Sequence, residues 1–312
     1  MADGLLIIDK PAGPTSHDVV ARMRRALRET RIGHTGTLDP MATGVLLLVV
    51  GKATRLAKFL SASDKSYDAV VRFGFATDTA DAQGQPVGPV SDRPTPSREE
   101  IETALDAFRG TFMQQPPAFS AKKIDGQRSY TLARDARAAH AAPRTSPPAP
   151  LAPPALPAPC RVTTFGLEIL AVEADSVTLR VDCSAGFYLR SLAHDLGARL
   201  AVGAHLTALR RTRTGDFSLD RAIGLGEAER DPHAAAAALV PLAGMLSALP
   251  SVVLTSEGAS RVAHGQDVRP IDHQPSTISH QPFVRLLDTS GALVAIAQPE
   301  AGGALHPSVV LV

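Results

Sequence analysis

The apolar positions of this chain change period several times, and each change marks an element. Leu5 to Ile8 is a short unbroken apolar run, the mark of a buried strand. Thr15-Ser16 can then cap a helix whose apolar stripe is Val19, Val20, Met23 and Leu27, with arginines on its other face. Val45 to Val50 is again continuous and apolar, a second buried strand. From Tyr67, the residues Ala69, Val71, Phe73 and Phe75 alternate with Asp68, Val70, Arg72 and Gly74, the two-residue period of a half-buried strand. Ser97-Arg98-Glu99-Glu100 is a capping-box pattern that opens a helix with Ile101, Leu105 and Phe108 inward. A further strand at Val177, Leu179 and Val181 leads to a turn over Gly186 to Arg190 and a helix through Leu192, Leu196 and Leu200. Strand and helix mix without the regular alternation of a doubly wound fold, which predicts an α+β domain with a mixed sheet.

From about Ser251 the pattern shifts to short runs, Phe283 to Leu287 and Leu293 to Ala297, joined by the turn Asp288-Thr289-Ser290-Gly291; this predicts a small β-rich domain. The boundaries that follow are 1–248 for the larger domain and 250–312 for the smaller. Ala138 to Pro159 is Ala/Pro-rich and too poor in large apolar residues to pack, so it reads as an exposed, partly polyproline-like insertion. The Pro/His/Gln/Ser segment 270–282 reads as a flexible loop.

With 312 residues, 44% of them hydrophobic, the chain can bury a large core and a small one. A net charge of +1 is low for a nucleic-acid binder, so any phosphate-binding surface must be concentrated. Two arginine clusters qualify, Arg22, Arg24, Arg25, Arg28 and Arg31, and Arg210, Arg211 and Arg213; both equally fit solvated charged faces. Cys160 and Cys183 have no metal-type spacing and read as ordinary thiols of a reducing compartment. No run approaches a membrane span, and Met1-Ala2-Asp3-Gly4 lacks the features of a signal peptide, so the expected location is cytoplasmic.

The densest chemistry lies in Gly33-His34-Thr35-Gly36-Thr37-Leu38-Asp39-Pro40-Met41-Ala42-Thr43-Gly44. One carboxylate, Asp39, sits among hydroxyl and backbone donors. Pro40 pushes Asp39 out of the helical region, while Gly33, Gly36 and Gly44 permit close approach of a ligand. Spacing alone fits either a reactive carboxylate or a glycine-rich turn whose Asp caps the backbone.

This string, continued through Gly51-Lys52-Ala53-Thr54-Arg55, resembles the signature of the bacterial tRNA pseudouridine-55 synthases, the TruB family. Leu5-Leu6-Ile7-Ile8-Asp9-Lys10-Pro11-Ala12-Gly13, Asp64-Lys65-Ser66-Tyr67 and Gly186-Phe187-Tyr188-Leu189-Arg190 are similar to further motifs of the family, in the family's order. Gly265-Gln266-Asp267-Val268 and the hairpin after it are similar to the PUA domain, an RNA-binding module. The resemblance implies a mixed-sheet pseudouridine synthase catalytic domain followed by a PUA-like domain. It also implies isomerisation of uridine 55 in the T loop of tRNA after base flipping, by a stand-alone enzyme that is a monomer and needs no guide RNA, cofactor, metal or membrane.

By the same resemblance Asp39 is the nucleophile, Arg190 pairs with it, and Tyr67 stacks on the flipped base and assists proton transfer. His34 contacts displaced nucleotides, Leu209 lines the pocket, and Lys10 and Arg55 support the loop or contact phosphate; Tyr188 is a further substrate-binding candidate. In an extended segment Tyr188 and Arg190 point to the same side. Each also has a plain reading: a turn-capping histidine, a half-buried strand tyrosine, a core leucine, an arginine at an exposed strand end. Two departures stand out, Phe119 where a tyrosine is usual and Ala76 where a basic residue is common. The competing functions are a non-catalytic tRNA-binding or tRNA-folding protein and a guide-dependent synthase subunit.

Overall fold

The computed structural model describes residues 3–120, 122–124, 126–129, 156–269, 282–300 and 302–311. The insertion read at 138–159 lies outside them up to residue 155, and the loop read at 270–282 up to residue 281. In chain order the principal strands are β1 (Gly4–Lys10), β2 (Ile32–His34), β3 (Thr43–Val50), β4 (Lys65–Phe73), β5 (Gly110–Gln114), β6 (Cys160–Val172) and β7 (Ser176–Cys183). They continue with β8 (Ala204–Thr214), β9 (Ile223–Gly224), β10 (Val240–Pro241), β11 (Ser251–Val253), β12 (Val284–Leu287), β13 (Leu293–Pro299) and β14 (Leu305–Val310). The longer helices are α1 (Ser16–Ala26), α2 (Arg98–Leu105), α3 (Leu189–Arg199) and α4 (Ser256–Ala263). The fold is a mixed α+β fold.

Two compact units divide the chain: Met1–Ser63 with Gly215–Val312, and Asp64–Thr214. In the first, β1 runs antiparallel to β3 from Gly4↔Val50 to Lys10↔Gly44 and parallel to β9. β2 pairs with β3 and β10 with β1. Because β1 and β3 are apolar at every position from Leu5 to Ile8 and Val45 to Val50, both of their faces are covered and these residues are at most 2% exposed. α1 forms where the pattern places it: Thr15 and Asp18 make a reciprocal capping box, and Val19, Val20 and Met23 are buried.

The tail after residue 250 builds a separate four-stranded sheet in the order β11-β12-β13-β14, parallel at the first pair and antiparallel after it. One of its clusters, around Val252, Val262, Leu286 and Ala295, is its own. A second is shared, because Leu293, Ile296, Val309 and Leu311 lie in one core with Leu5, Ile7, Val45 and Leu47. The unbroken burial of β13 from Leu293 to Ala297 follows from these two clusters, since apolar cover on both sides removes the need for a polar face.

The second unit is an antiparallel ladder, β8-β4-β7-β6-β5, with α3 lying against β8 and β4. β4 begins at Lys65, two residues before Tyr67, and ends at Phe73, because Gly74 turns the chain at φ +108° and leaves Phe75 outside. The capping box at Ser97 forms as its spacing predicts, although Phe108 falls in a short 3-10 turn after α2. The 13-residue strand β6 has no counterpart in the hydrophobic pattern; bulges at Phe165 and Leu170 break its alternation and leave both side chains exposed.

The basic run 210–213 lies within β8, where neighbours point to opposite faces, so it does not form one patch. Arg211 is 1% exposed, Arg210 stands opposite Asp68, and Arg213 pairs with Asp182 at 3.4 Å. The earlier cluster is also partly engaged: Arg24 donates to the Ile32 carbonyl at 2.7 Å, and Arg22 lies 3.7 Å from Glu229.

Candidate active site

The loop between β2 and β3 carries Asp39 half-buried, and its backbone is fixed from three directions. From α1, the Ser16 hydroxyl accepts from the Leu38 N–H at 2.9 Å and donates to the Leu38 carbonyl at 3.2 Å. From the end of β1, the Lys10 ammonium donates to the carbonyls of Ala42 at 2.7 Å, Pro11 at 2.9 Å and Pro40 at 3.3 Å. Gly13 N–H adds a bond to the Pro40 carbonyl at 2.8 Å, and Ala42 N–H closes on the Asp39 carbonyl at 3.0 Å. Gly36 and Gly44 sit at φ +95° and +98°, where side chains are disfavoured; Gly33 does not need this freedom.

Lys10 has no exposed surface, and carbonyls of the loop take the place of water around its ammonium. His34, at the mouth of the loop, meets His17 edge to face with ring centroids 5.2 Å apart. Arg55 is elsewhere: its guanidinium donates to the Val310 carbonyl of β14, tying the turn after β3 to the last strand.

In the second unit Tyr67 is 7% exposed, in register with Val181 on β7 and Arg211 on β8. Leu209 lies two pairs further along, opposite Ala69, so it shares Tyr67's face and is also buried. Lys65, two residues before Tyr67, is pushed down to about 8 by burial and then by the Arg211 charge. Its register partner Cys183 is pushed up to about 12 by burial, which makes it an inert thiol.

The segment 188–190 is not extended, which corrects the picture of Tyr188 and Arg190 pointing together. Tyr188 is the extended N-cap residue and α3 is helical from Leu189, so Arg190 sits in the first turn. Gln114 of β5 holds the junction, accepting from the Tyr188 N–H at 2.9 Å and donating to its carbonyl at 3.0 Å. Arg190 is 6% exposed and donates to the carbonyls of Phe119 at 2.7 Å and Thr79 at 3.2 Å. Phe119, one of the two departures, thus contributes its backbone whatever its ring.

Asp81 is the residue that the sequence reading missed. Its carboxylate lies 3.8 Å from the Arg190 guanidinium with both side chains 7% exposed, and it accepts from the Thr79 hydroxyl and the Gln83 N–H. The one local signal was its place at the end of Thr77-Asp78-Thr79-Ala80-Asp81, a polar run that the burial of Thr77, Thr79 and Asp81 turns inward. Site candidates therefore form two groups, Asp39, Lys10 and His34 in one unit and Tyr67, Leu209, Tyr188 and Arg190 in the other.

Comparison with known proteins defines the class of this chain. Residues 24–147 match the family model described as TruB family pseudouridylate synthase (N terminal domain), and residues 190–243 match the tRNA pseudouridylate synthase B C-terminal domain. The chain is 41% identical over 317 residues to the tRNA pseudouridine synthase B of Solibacter usitatus (strain Ellin6076), covering 99% of this chain and 100% of that one. It is 41% identical over 321 residues to the protein of that name in Thermobifida fusca (strain YX), covering 99% of each. The chain belongs to the TruB family and is a tRNA-modifying pseudouridine synthase. A chain of a solved Cbf5-Nop10-Gar1 complex has the same fold, with a TM-score of 0.71 and 27% identity over 99% of this chain and 85% of that one.

Proposed function

We propose that this protein converts uridine 55 in the T loop of tRNA to pseudouridine, with Asp39 as nucleophile, after base flipping and without a guide RNA. The observation that carries this reading is the bracing of the Asp39 loop by Ser16, Lys10 and Gly13, which a capping aspartate in a surface turn would not require. The names of the full-length relatives support the tRNA substrate.

The reaction breaks the bond from ribose C1′ to uracil N1, rotates the base and joins C1′ to C5; the C5 proton is lost and N1 regains one. An ionised carboxylate serves each available route: attack on C1′, attack on the base, or promotion of elimination across the sugar. In this reading Arg190, its guanidinium held by two carbonyls, is the cation that pairs with Asp39. Tyr67 offers a ring to the flipped uracil and a hydroxyl to assist removal of the C5 proton. His34 meets nucleotides displaced by flipping, Leu209 and Tyr188 line the pocket, and the PUA-like tail adds phosphate contacts.

The test is an unmodified tRNA transcript incubated with the purified protein and nothing else, with pseudouridine then mapped along the RNA. Product at position 55 is expected. Tight binding without product would instead favour a tRNA-folding protein, and product only with an added RNA a guide-dependent subunit.

A further inference from the structure

Ser16 is the first residue of α1, one past the N-cap, and capping of the helix is done by Thr15. The Thr15 hydroxyl accepts from the Asp18 N–H at 3.1 Å, and the Asp18 carboxylate accepts from the Thr15 N–H at 2.8 Å. The Ser16 hydroxyl, 1% exposed, turns away from its own helix and takes both backbone groups of Leu38, 22 residues on. That is the pairing a neighbouring strand would supply to a residue in a sheet, delivered here by one side chain.

We infer that Ser16 is a positioning residue for the reaction at Asp39, an inference that rests on the function proposed above. The Leu38 carbonyl belongs to the peptide that enters Asp39, so the bond from Ser16 sets the plane of that peptide. On the far side Ala42 N–H fixes the Asp39 carbonyl, and Gly13 with Lys10 fixes that of Pro40. Asp39 is thereby held between two oriented peptides, and the direction of its carboxylate depends on both. α1 makes a firm base for this because Val19 and Met23 have no exposed surface. Losing the Ser16 hydroxyl frees the entering peptide and leaves the residue before Asp39 with two buried polar groups to satisfy by moving. An error of about 1 Å in a reacting group lowers a rate by about a hundredfold.

Three variants test this: Ser16→Ala, Ser16→Cys, which keeps a weak donor and acceptor in the same shape, and Thr15→Ala, which weakens the same helix but spares the Leu38 bonds. Single-turnover rates at saturating tRNA are measured beside tRNA affinity and thermal melting. Expected for Ser16→Ala is a rate about ten- to a hundredfold below the parent with affinity within about threefold. Ser16→Cys should fall between the two at the same affinity, so the order of rates can be read even if Ser16→Ala does not fold. Thr15→Ala should melt earlier and turn over at the parent rate. A parent-like rate in Ser16→Ala or Ser16→Cys overturns the inference, as does a slowing by Thr15→Ala equal to that by Ser16→Ala. Asp39→Asn is run alongside: if it remains active the proposed chemistry fails, whereas an inactive Asp39→Asn with a normal Ser16→Ala defeats this inference alone.

Discussion

Ending the chain at Pro250 removes part of the core of the first unit. It takes Leu293, Ile296, Val309 and Leu311, each at most 7% exposed, out of the core that holds β1 and β3. Burial of such side chains is worth about 1.5–3 kcal/mol each, so the four together contribute about 6–12 kcal/mol. That is comparable with the whole stability of an ordinary domain, about 5–15 kcal/mol. The same cut removes Phe283, which packs edge to face on Phe59 at 4.8 Å, and the Val310 carbonyl that receives Arg55. The truncated chain is expected to lose its cooperative unfolding transition in urea, followed by circular dichroism, and to lose single-turnover activity with it. A milder companion, Ile296→Ala, should lower unfolding free energy by about 2–5 kcal/mol. A truncated protein that unfolds cooperatively at the parent midpoint, with normal single-turnover rates and only weakened tRNA binding, would refute the shared core as the reason.

Three further outcomes follow from the site. Asp81→Asn removes the charge beside the buried Arg190 and should destabilise the protein by about 3 kcal/mol in urea unfolding, so parent-like stability would count against that ion pair. Tyr67→Phe keeps the ring but not the hydroxyl, and should bind tRNA like the parent while turning over about a hundredfold more slowly; full single-turnover activity would make the hydroxyl dispensable. Lys65 is held near 8 when folded against an ordinary value of 10.5, so between these pH values the unfolded chain binds a proton that the folded chain does not. Stability should therefore rise with pH across that window relative to Lys65→Met, and identical pH dependence of the two proteins would exclude this effect.

The parts of the fold written in local pattern were legible in the sequence. The capping boxes at Thr15 and Ser97 need four consecutive residues, and the apolar runs of β1 and β3 need only themselves. β6 and β8 were not legible, because bulges interrupt the alternation of β6 and because β8 buries Arg211 on a face that a sequence scale scores as solvent-facing. The Asp39 loop stood out through its glycines, Pro40 and its resemblance to a known signature. Of what braces it, Lys10 is indicated only through the resemblance and Ser16 not at all, since they reach it across 32 and 22 residues of sequence. Asp81 and Arg190 are further apart still, and pairing at that distance is decided by the fold; the polar run 77–81 marks Asp81 but not its partner.

The central claim is that Asp39 performs the chemistry, and release of tritium from C5-labelled uridine in tRNA reads that step directly. The parent protein should release the label from position 55 with no other component present. Asp39→Asn should release none while binding tRNA within about threefold of the parent, because the amide keeps the shape of the carboxylate without its nucleophilicity. Tritium release by Asp39→Asn at the parent rate would contradict the account.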